Sequence, residues 1–586
     1  MQSDSILRCS RLLELYRRTD VPESELTELV ARFASFTDGN LTEATNDVPV
    51  ADLPGMVRAG GSGLGDVLSK AAADARLGRV LSEAWKDADL VVTCIDSPIK
   101  TDVTVDGNSR KVLNSSASVP HEIHSMLSLF GLVWPRERIT WVTTEQTLPL
   151  PLAAGVGITE DRSQLPEFPY GISTVRTDHE ALKIFANGVL WPVFHMTDFN
   201  VEHSLSLVHE AISVEGWRTY EECNEQFAEA ATECLGNSKN PVLQVHDYEL
   251  CLVPEMLRRS IPTSSSAFFH HVVWPNWRHF RLLPEDVRNA ILRGILGADV
   301  VLFHTIEYAE RFLECVENEL GTDAVVSGGR VQYDGRVVLV WQVTHGIDVA
   351  EVLALSRFPV AEAADEVRRI KQATHHAALC ISVERLDFSK GPMQRLVAVE
   401  RFLDEYPELA GNLVFLQVLA RGRRYFQSYR ELGRSFDAES QRINDRWQGS
   451  VGLKPIHIEN ALPFSVVAAL YHDAPIAWVT SFADGLPLVP KEYIAARGVH
   501  TDAGVLVLSR HAGVAKHLRG ALMVDPHDPA QMAGQIRRAL SLSVCRRSLL
   551  MEALSRQVAQ GDLYEFTVTV MEILATARKI KRGNVA

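Results

Sequence analysis

The 586-residue sequence lacks several features that mark specialised classes of protein. It contains no run of about 18 consecutive apolar residues, the length that a helix needs to span a bilayer. Its first residues show no apolar segment behind a basic one, so we expect neither a secretory signal nor association with a membrane. Internal repeats and low-complexity linkers are also missing.

Cysteine is sparse, and none of the eight cysteines forms a C-x-x-C pair with another. This spacing argues against both a zinc ribbon and a disulfide framework. Scattered, unpaired cysteines are typical of buried thiols in a reducing compartment. We therefore expect a cytoplasmic protein that holds no structural metal.

Positive charge is in deficit, with a formal net charge of −15. Binding to a nucleic-acid backbone depends on clustered Lys and Arg, so nucleic acid is not the expected partner. A small anionic ligand is not excluded, because it needs only a local basic pocket. The sequence leaves homo-oligomerisation open.

Short apolar runs do occur, and they alternate with amphipathic helical patterns along most of the chain. The runs are continuous rather than alternating, which favours strands buried on both faces, as in parallel sheets covered by helices. The clearest runs are Asp89–Ile95, Pro241–Val245, Ala267–Val273, Asp299–Phe303, Val337–Val343, Leu379–Val383, Asn412–Val418, Ile476–Thr480 and Gly504–Leu508. The length of the chain suits two large domains of this kind.

The domain limits are predicted from changes of pattern along the chain. A strand pattern runs into residues 344–348, and a new alternating series opens after it. We expect a helical appendage over 1–55, α/β domains over 56–345 and 346–560, and a C-terminal helix with a basic tail over 561–586. The last helical pattern extends from Leu549 to about Lys579. In such folds, ligands bind at the carboxyl ends of the strands, here in a cleft between the two domains.

Two clusters follow predicted strands in the second half of the chain. Arg385 and Lys390 come directly after the first, and two cations at a strand end can stabilise a leaving diphosphate without a metal. The second begins at Asp484 and opens a helix that carries Glu492, where free backbone N–H groups suit phosphate. In isolation, the first pattern is more often a solvated basic turn, and the second is equally consistent with an ordinary turn and helix start.

Three further clusters lie in the first half of the chain. Asp247 and His271 follow neighbouring predicted strands, where they could hold sugar hydroxyls or guide a proton. A His-Asp pair in a loop is more often a structural hydrogen bond. A glycine-rich segment around Gly61 precedes a helical pattern and could cradle phosphate, although a single such loop is weak support.

The sequences of five segments, and their order along the chain, resemble those of glycosyltransferase family 20, the trehalose-6-phosphate synthase family. The segments are ANGVLWPVFH, HDYELCLVPEMLR, LRGILGADVVLFHTIEYAERF, VERLDFSKG and DGLPLVPKEYIAAR. The resemblance covers roughly residues 185–541. It implies the α/β GT-B architecture of two Rossmann-like domains, transfer with retention of configuration, and a nucleotide-diphosphate sugar as co-substrate without a metal or other cofactor.

The resemblance also implies roles for individual positions. On the donor side, Arg385 and Lys390 match the pair that binds the pyrophosphate, Asp484 the carboxylate that binds the sugar, and Glu492 the residue that binds ribose. The backbone at Leu488 and Val489 matches the helix start that binds the diphosphate.

On the acceptor side, Trp191 and Asp247 match binding positions, and His271 matches the histidine at the reacting centre. Arg423 matches an arginine that holds the acceptor's phosphate. The expected catalytic set is therefore Asp247, His271 and the three donor-side residues Arg385, Lys390 and Asp484.

The chain also departs from the family pattern. It has no evident strand ending in Ser-Asn-Arg, Leu182 stands where a phosphate-binding tyrosine is usual, and Pro487 removes one backbone N–H near the donor sugar. The leading interpretation is a retaining trehalose-6-phosphate synthase-like glucosyltransferase. Two alternatives stay open at this point: a diverged member with another acceptor in specialised metabolism, and a non-catalytic homologue that binds sugar phosphates.

Overall fold

A computed structural model describes residues 76–95, 99–103, 109–113, 119–132, 134–144, 170–196, 201–498 and 503–583. The predicted appendage over 1–55 and Gly61 lie outside the described residues. The chain divides into two compact units, and it passes between them at Thr344–His345 and again at Glu565–Phe566. None of the helices in the described part of the chain combines the length and apolar character that a membrane crossing requires.

The first unit is built on a nine-stranded sheet in the order β5-β4-β1-β6-β7-β8-β11-β10-β9. Neighbouring strands from β5 to β11 run parallel, and β10 pairs with both its neighbours in antiparallel fashion. The strands are β1 Asp89–Thr93, β4 Ile139–Thr144, β5 Gly171–Val175, β6 Pro241–His246, β7 Ser265–His270, β8 Val300–Phe303, β9 Ala324–Ser327, β10 Arg330–Tyr333 and β11 Arg336–Gln342. A separate antiparallel pair joins β2 Ile99–Val103 to β3 Ser109–Leu113.

Helices flank this sheet along the chain. They are α1 Arg76–Ala84, α2 Val119–Gly131, α3 His179–Phe185, α4 Trp191–Phe194, α5 Val201–Ala211, α6 Val214–Leu235, α7 Val253–Ser260, α8 Trp277–Phe280, α9 Glu285–Leu296 and α10 Ile306–Leu320. Side-chain caps fix several starts; Thr305 Oγ1, for example, accepts from the backbone N–H of Tyr308 at the start of α10. Such a cap satisfies a donor that the first helical turn leaves without a partner.

The second unit is built on a fully parallel six-stranded sheet in the order β14-β13-β12-β15-β16-β17. The strands are β12 Ala378–Arg385, β13 Leu413–Ala420, β14 Ile456–Asn460, β15 Ile476–Val479, β16 Val505–Ser509 and β17 Leu522–Val524. The central strands are buried along their length, because helices cover both faces and leave two separate apolar clusters, one on each side. This is the pattern that continuous apolar runs favour.

In the described part of the chain, nine further helices belong to the second unit, and a tenth returns to the first. They are α11 Val349–Arg357, α12 Ala361–Ala373, α13 Pro392–Glu405, α14 Pro407–Ala410, α15 Gln427–Val451, α16 Phe464–Asp473, α17 Val489–Arg497, α18 Pro529–Ser541, α19 Val544–Gln560 and α20 Leu563–Lys581. Most of α20 belongs to the first unit, where the indole N–H of Trp85 donates to the carbonyl of Met571 and Arg76 pairs with Glu572.

The predicted fold class is confirmed, since both units are α/β layers built on mostly or fully parallel sheets and each of the nine apolar runs overlaps a strand. The helical pattern from Leu549 to Lys579 comprises two helices, because α19 ends at Gln560 and α20 starts at Leu563. Gly561 separates them, and Asp562 caps the second helix by accepting from the N–H of Glu565.

A buried ion pair ties α7 to the strands beneath it. Arg258 lies 2.8 Å from Asp299, and both side chains are almost fully buried. The guanidinium also donates to the carbonyl groups of Gly297, Pro262 and Ser264. Asp299 in turn accepts from the backbone N–H of Ser266 at the start of β7. Each partner therefore satisfies polar groups that burial would otherwise leave without a hydrogen bond.

We expect Arg258→Met to destabilise the first unit by up to about 3–5 kcal/mol, because it removes the nearest counter-charge of the buried Asp299 and leaves it only Lys581, at 3.6 Å. Arg259→Met is the matched control, since the neighbouring Arg259 is exposed and pairs only with Glu255 on the same helix. Such an exposed pair is worth about 0.5 kcal/mol. Urea unfolding monitored by circular dichroism measures both, and equal shifts in the two variants would contradict this account.

Candidate active site

The carboxyl edge of the second sheet carries the predicted diphosphate-binding arginine. Arg385 is the last residue of β12, paired in register with Ala420, the last residue of β13. Its side chain is exposed. Parallel strands end at one edge of a sheet, so residues that leave β12 and β13 emerge side by side. The edge therefore presents a fixed positive charge to solvent.

Asp387 is the buried carboxylate that organises this edge. One oxygen accepts from Arg423 at 2.7 Å and from the hydroxyl of Tyr429 at 2.8 Å. The other accepts from the backbone N–H and the hydroxyl of Ser389 at 3.0 and 2.8 Å. These four bonds hold the turn after β12 against the loop after β13.

Ionisation of Asp387 follows from those contacts. Burial alone would raise its pKa, but the charges of Arg423 and Arg385 and the hydrogen bonds from Ser389 and Tyr429 hold the pKa well below its usual range. Burial, together with the charge of Asp387, raises the pKa of the Tyr429 phenol. At neutral pH the carboxylate is thus charged and the phenol is a donor.

Lys390 and Asp484 form an ion pair in which both side chains are largely buried. The hydroxyl of Ser481 also donates to Asp484, at 3.3 Å. Gly391, next to the lysine, has φ of +65°, and a Cβ there would lie 3.0 Å from the carbonyl oxygen of Thr480. Only glycine adopts this conformation in so close a space without strain. The left-handed backbone at Gly391 therefore brings the turn close to Thr480, and Lys390 reaches Asp484 from this turn.

Arg395 lies beneath the same edge and is fully buried. It pairs with Glu384 on β12, and it donates to Gln417 on β13 and Thr480 after β15, both at 2.9 Å. One guanidinium thus joins the ends of three neighbouring strands. Because an unpaired buried arginine is costly, this network fixes the spacing of the strand ends.

The predicted diphosphate-binding helix start is present. Helix α17 begins at Val489, and the preceding residue, Leu488, offers no side-chain cap. Uncapped N–H groups at a helix start favour an anion. Glu492 lies in the first turn of this helix, where it accepts from the hydroxyl of Tyr471 at 3.3 Å.

The first unit brings Asp247 and His271 together at the ends of β6 and β7. Asp247 Oδ1 accepts from the backbone N–H groups of Tyr248 at 2.9 Å and His271 at 3.3 Å. Asp247 has φ of +73°, which a residue other than glycine rarely adopts. Strain of this kind occurs mainly at functional sites, where the surrounding contacts hold it in place.

His271 is oriented by a second histidine. Its Nε2 lies 2.8 Å from Nδ1 of His246, the last residue of β6. Burial lowers the pKa of His246 to about 3, so its ring is neutral at physiological pH. One of the two nitrogens must donate and the other accept, so the tautomers of His246 and His271 are coupled through this contact.

Trp191 is buried directly after a turn of π-helix over Ala186–Leu190. Its ring stacks on His195 with centroids 3.7 Å apart. Insertions of π-helix are frequent at functional sites. Leu182, in contrast, is fully buried in the apolar core, so this side chain does not line an open pocket in the structure.

The structure thus groups the candidate residues by unit. Arg385, Lys390, Asp484, Leu488, Val489, Glu492 and Arg423 belong to the second unit, and Trp191, Asp247 and His271 to the first. Arg423 is already committed to an ion pair with Asp387, a contact that the sequence did not suggest.

Sequence reasoning assigned no role of their own to several supporting residues, among them His246, Asp387 and Arg395. It also missed Arg421, which directly follows β13 and pairs through two hydrogen bonds with Asp437. The one signal that was available was a charged residue within an apolar stretch, as at Arg395 in PMQRLVAV.

Solved structures share this architecture. An α,α-trehalose-phosphate synthase (UDP-forming) from Burkholderia vietnamiensis aligns over 83% of this chain and 96% of its own, with a TM-score of 0.68 and 25% identity. The E. coli trehalose-6-phosphate enzyme bound with UDP-2-fluoro glucose covers 83% and 99%, with a TM-score of 0.68 and 22% identity. The fold is therefore that of the GT-B glycosyltransferases.

A family model gives the particular assignment. The model of glycosyltransferase family 20 matches residues 101–576, so the chain belongs to that family.

Curated relatives are UDP-forming α,α-trehalose-phosphate synthases. Synthase A of Dictyostelium discoideum is 33% identical over 357 residues, which is 61% of this chain and 46% of the relative. The 56 kDa subunit of the Saccharomyces cerevisiae synthase is 32% identical over 383 residues, 64% of this chain and 73% of the relative. The match thus spans about half of the first relative and about three quarters of the second.

We expect Asp387→Asn to destabilise the protein by about 3 kcal/mol at pH 7, because it leaves Arg423 buried without its counter-charge. The folded-state pKa of Asp387 is depressed, so its stabilisation is complete above the unfolded value of about 3.9 and is lost as pH falls below it. Urea unfolding at several pH values should therefore show a constant difference from wild type above about pH 5 and a smaller one below pH 4.

Asp437→Asn is the control for this measurement, because Asp437 also pairs with an arginine that follows β13 but is about half exposed. It should cost about 0.5 kcal/mol. A loss in Asp387→Asn as small as that of the control would show that Asp387 does not organise the edge.

Proposed function

We propose that this chain is a retaining glucosyltransferase that forms α,α-trehalose 6-phosphate from UDP-glucose and glucose 6-phosphate. The observation that carries the proposal is the cluster of Arg385, Lys390 and Asp484 at the carboxyl edge of the second sheet, in a chain of glycosyltransferase family 20. Its relatives are UDP-forming α,α-trehalose-phosphate synthases, and they supply the donor and the product.

The donor side rests on charge and on helix geometry. Arg385 supplies an exposed cation, Lys390 a second, and the uncapped start of α17 backbone N–H groups for the diphosphate. Glu492, one turn into the helix, is the proposed partner of the ribose hydroxyls. Asp484 is the proposed partner of the sugar hydroxyls, and donor binding would exchange its contact with Lys390 for a contact with glucose.

The acceptor side rests on the first unit. Asp247, held in a strained conformation, and His271, oriented by His246, are the proposed groups that hold and align the acceptor hydroxyls. Trp191 is the proposed binding group for the acceptor's ring. Arg423, which belongs to the second unit, is the proposed binding group for its phosphate. By this proposal, residues 56–345 form the acceptor domain and 346–560 the donor domain, flanked by the segments 1–55 and 561–586.

The proposed reaction is a displacement on one face of the donor sugar. The bond between the anomeric carbon and the diphosphate oxygen breaks, and the leaving diphosphate keeps the electron pair. The acceptor hydroxyl forms the new bond on the same face and gives its proton to a diphosphate oxygen. Arg385 and Lys390 stabilise the negative charge that grows on the diphosphate, which is where electrostatic catalysis is most effective.

The replacement at Leu182 does not favour a different acceptor. A buried core position is not one from which a lost hydroxyl would weaken ligand binding. Pro487 does remove one backbone N–H near Asp484. This departure bears on how strongly the nucleotide sugar binds. Glucose 6-phosphate therefore remains the leading acceptor.

The test of the proposed function is the identity of the product. The purified full-length chain, incubated with UDP-glucose and glucose 6-phosphate, should release UDP and form a phosphorylated disaccharide whose two anomeric protons show α-coupling by NMR. GDP-glucose and acceptors without phosphate form the comparison arms. UDP release with another acceptor only, or no turnover with any pair, would overturn the proposal.

We expect Arg385→Ala to weaken UDP binding by about 1.5–3 kcal/mol, because it removes a charge-assisted contact with the diphosphate. This corresponds to a dissociation constant about tenfold to a hundredfold higher. Isothermal calorimetry measures the change. Arg401→Ala is the control, since Arg401 is exposed and pairs with Glu405 on α13. Unchanged affinity in Arg385→Ala would move the diphosphate away from this edge.

We expect turnover to survive treatment with EDTA. Two protein cations already neutralise the leaving group, a role that Mg²⁺ or Mn²⁺ plays in other transferases. Steady-state rates before and after chelation measure the effect. A loss that Mg²⁺ or Mn²⁺ restores would show that the diphosphate is neutralised by a metal instead.

A further inference from the structure

A group of three potential metal ligands lies at the ends of the last two strands of the second sheet. His511 follows β16, and Asp525 and His527 follow β17. One ligand atom from each lies within 4.8 Å of the others, and Nε2 of His511 is 3.8 Å from Oδ1 of Asp525. These residues belong to none of the motifs that point to the transferase.

The side chains of Asp525 and His527 are held by their surroundings, whereas His511 is held through its backbone and its side chain is exposed. The ring of His527 stacks on Phe482 with centroids 4.5 Å apart and planes only 1° from parallel. Asp525 Oδ1 accepts from the backbone N–H of His527 at 3.0 Å, and the backbone N–H of His511 donates to Ser509 Oγ at 3.1 Å. Parallel pairing of β16 with β17 sets the two loops side by side. A metal would therefore order few groups on binding.

Two imidazoles and one carboxylate select a particular class of cation. Imidazole nitrogen suits Zn²⁺ and its neighbours Ni²⁺ and Cu²⁺, whereas Mg²⁺ and Ca²⁺ prefer an all-oxygen set. Zinc binds these atoms at about 2.0–2.2 Å, so neighbouring ligands of a tetrahedral ion lie about 3.4 Å apart. The observed spacing requires an inward movement of about 1 Å, which exposed side-chain rotation supplies.

We propose that His511, Asp525 and His527 form a surface site for a divalent transition metal of the zinc class. The three ligands leave at least one coordination position open to water. None of the three is among the residues proposed to bind the nucleotide sugar, although the site borders them, since Ala512 next to His511 pairs with Asp484.

Arg510 opposes metal binding at this site. Its guanidinium lies 3.9 Å from Oδ2 of Asp525, and it also donates to Gln531 at 3.4 Å. A cation so near the carboxylate lowers the affinity of the site for a metal. Removing that charge should therefore strengthen metal binding. The proposal thus predicts a gain of affinity in one variant as well as losses in others.

The test is calorimetric titration of the full-length chain, freed of any affinity tag, with Zn²⁺ in a non-chelating buffer. We expect binding near one equivalent that is weakened about tenfold or more in His511→Ala and in His527→Ala. Arg510→Gln should bind severalfold more tightly than wild type. Circular dichroism checks that each variant keeps its fold.

The matched control is the double variant His375→Ala/His376→Ala, which removes two adjacent exposed histidines elsewhere on the same unit. It should leave the affinity unchanged. Absence of Zn²⁺ binding in the wild type, or wild-type affinity in both His511→Ala and His527→Ala, would overturn the proposal. Should His527→Ala unfold, His511→Ala alone decides the outcome, since that residue is exposed.

Discussion

The second unit depends on ion pairs at the carboxyl edge of its sheet, in each of which a carboxylate balances the charge of a cation. Arg395 pairs with Glu384, Arg423 with Asp387, and Lys390 with Asp484, and in each pair at least one partner is largely buried. A buried charge without a partner costs several kcal/mol, so each pair constrains the strands or loops that carry it. Arg385 lies among them with an exposed side chain. Its charge therefore faces solvent at an edge whose geometry the three ion pairs define.

The first unit differs from the second, because hydrogen bonds rather than ion pairs align its site residues. The backbone strain at Asp247 is tolerated since its carboxylate accepts two backbone N–H groups. His246 is kept neutral by burial, and its Nδ1 lies 2.8 Å from Nε2 of His271. A preorganised pair of this kind needs no rearrangement when a hydroxyl binds.

Part of this arrangement could be predicted from the sequence. Continuous apolar runs such as VVLVWQV and DVVLF indicated buried strands, and polar residues directly after them indicated the edges where ligands bind. Short or polar strands were missed. Strand β14 carries the alternating residues of IHIEN at the edge of its sheet, and β17 has only three residues.

The contacts that support the site could not be predicted, because they join residues far apart in sequence. Asp387 and Arg423 are 36 residues apart, and Lys390 and Asp484 are 94 apart. Nothing local in VERLDFSKG shows that its aspartate is buried beneath an arginine from another loop. The break within the helical pattern from Leu549 onward is not evident in the sequence for a related reason. Apolar periodicity continues across the Gly561–Asp562 break, and only the capping contact of Asp562 shows that a new helix begins.

The central claim is that the edge divides its tasks, with cations for the diphosphate and Asp484 for the sugar. The most direct measurement compares the dissociation constants of UDP and UDP-glucose in wild type and Asp484→Asn. Because Asp484 pairs with Lys390 in the free protein, Asp484→Asn should leave the affinity for UDP equal to that of wild type or higher. The same change should weaken UDP-glucose about tenfold relative to UDP, as expected for a lost charged hydrogen bond. Equal weakening of both ligands would show that Asp484 only maintains the structure of the edge, and would contradict the account.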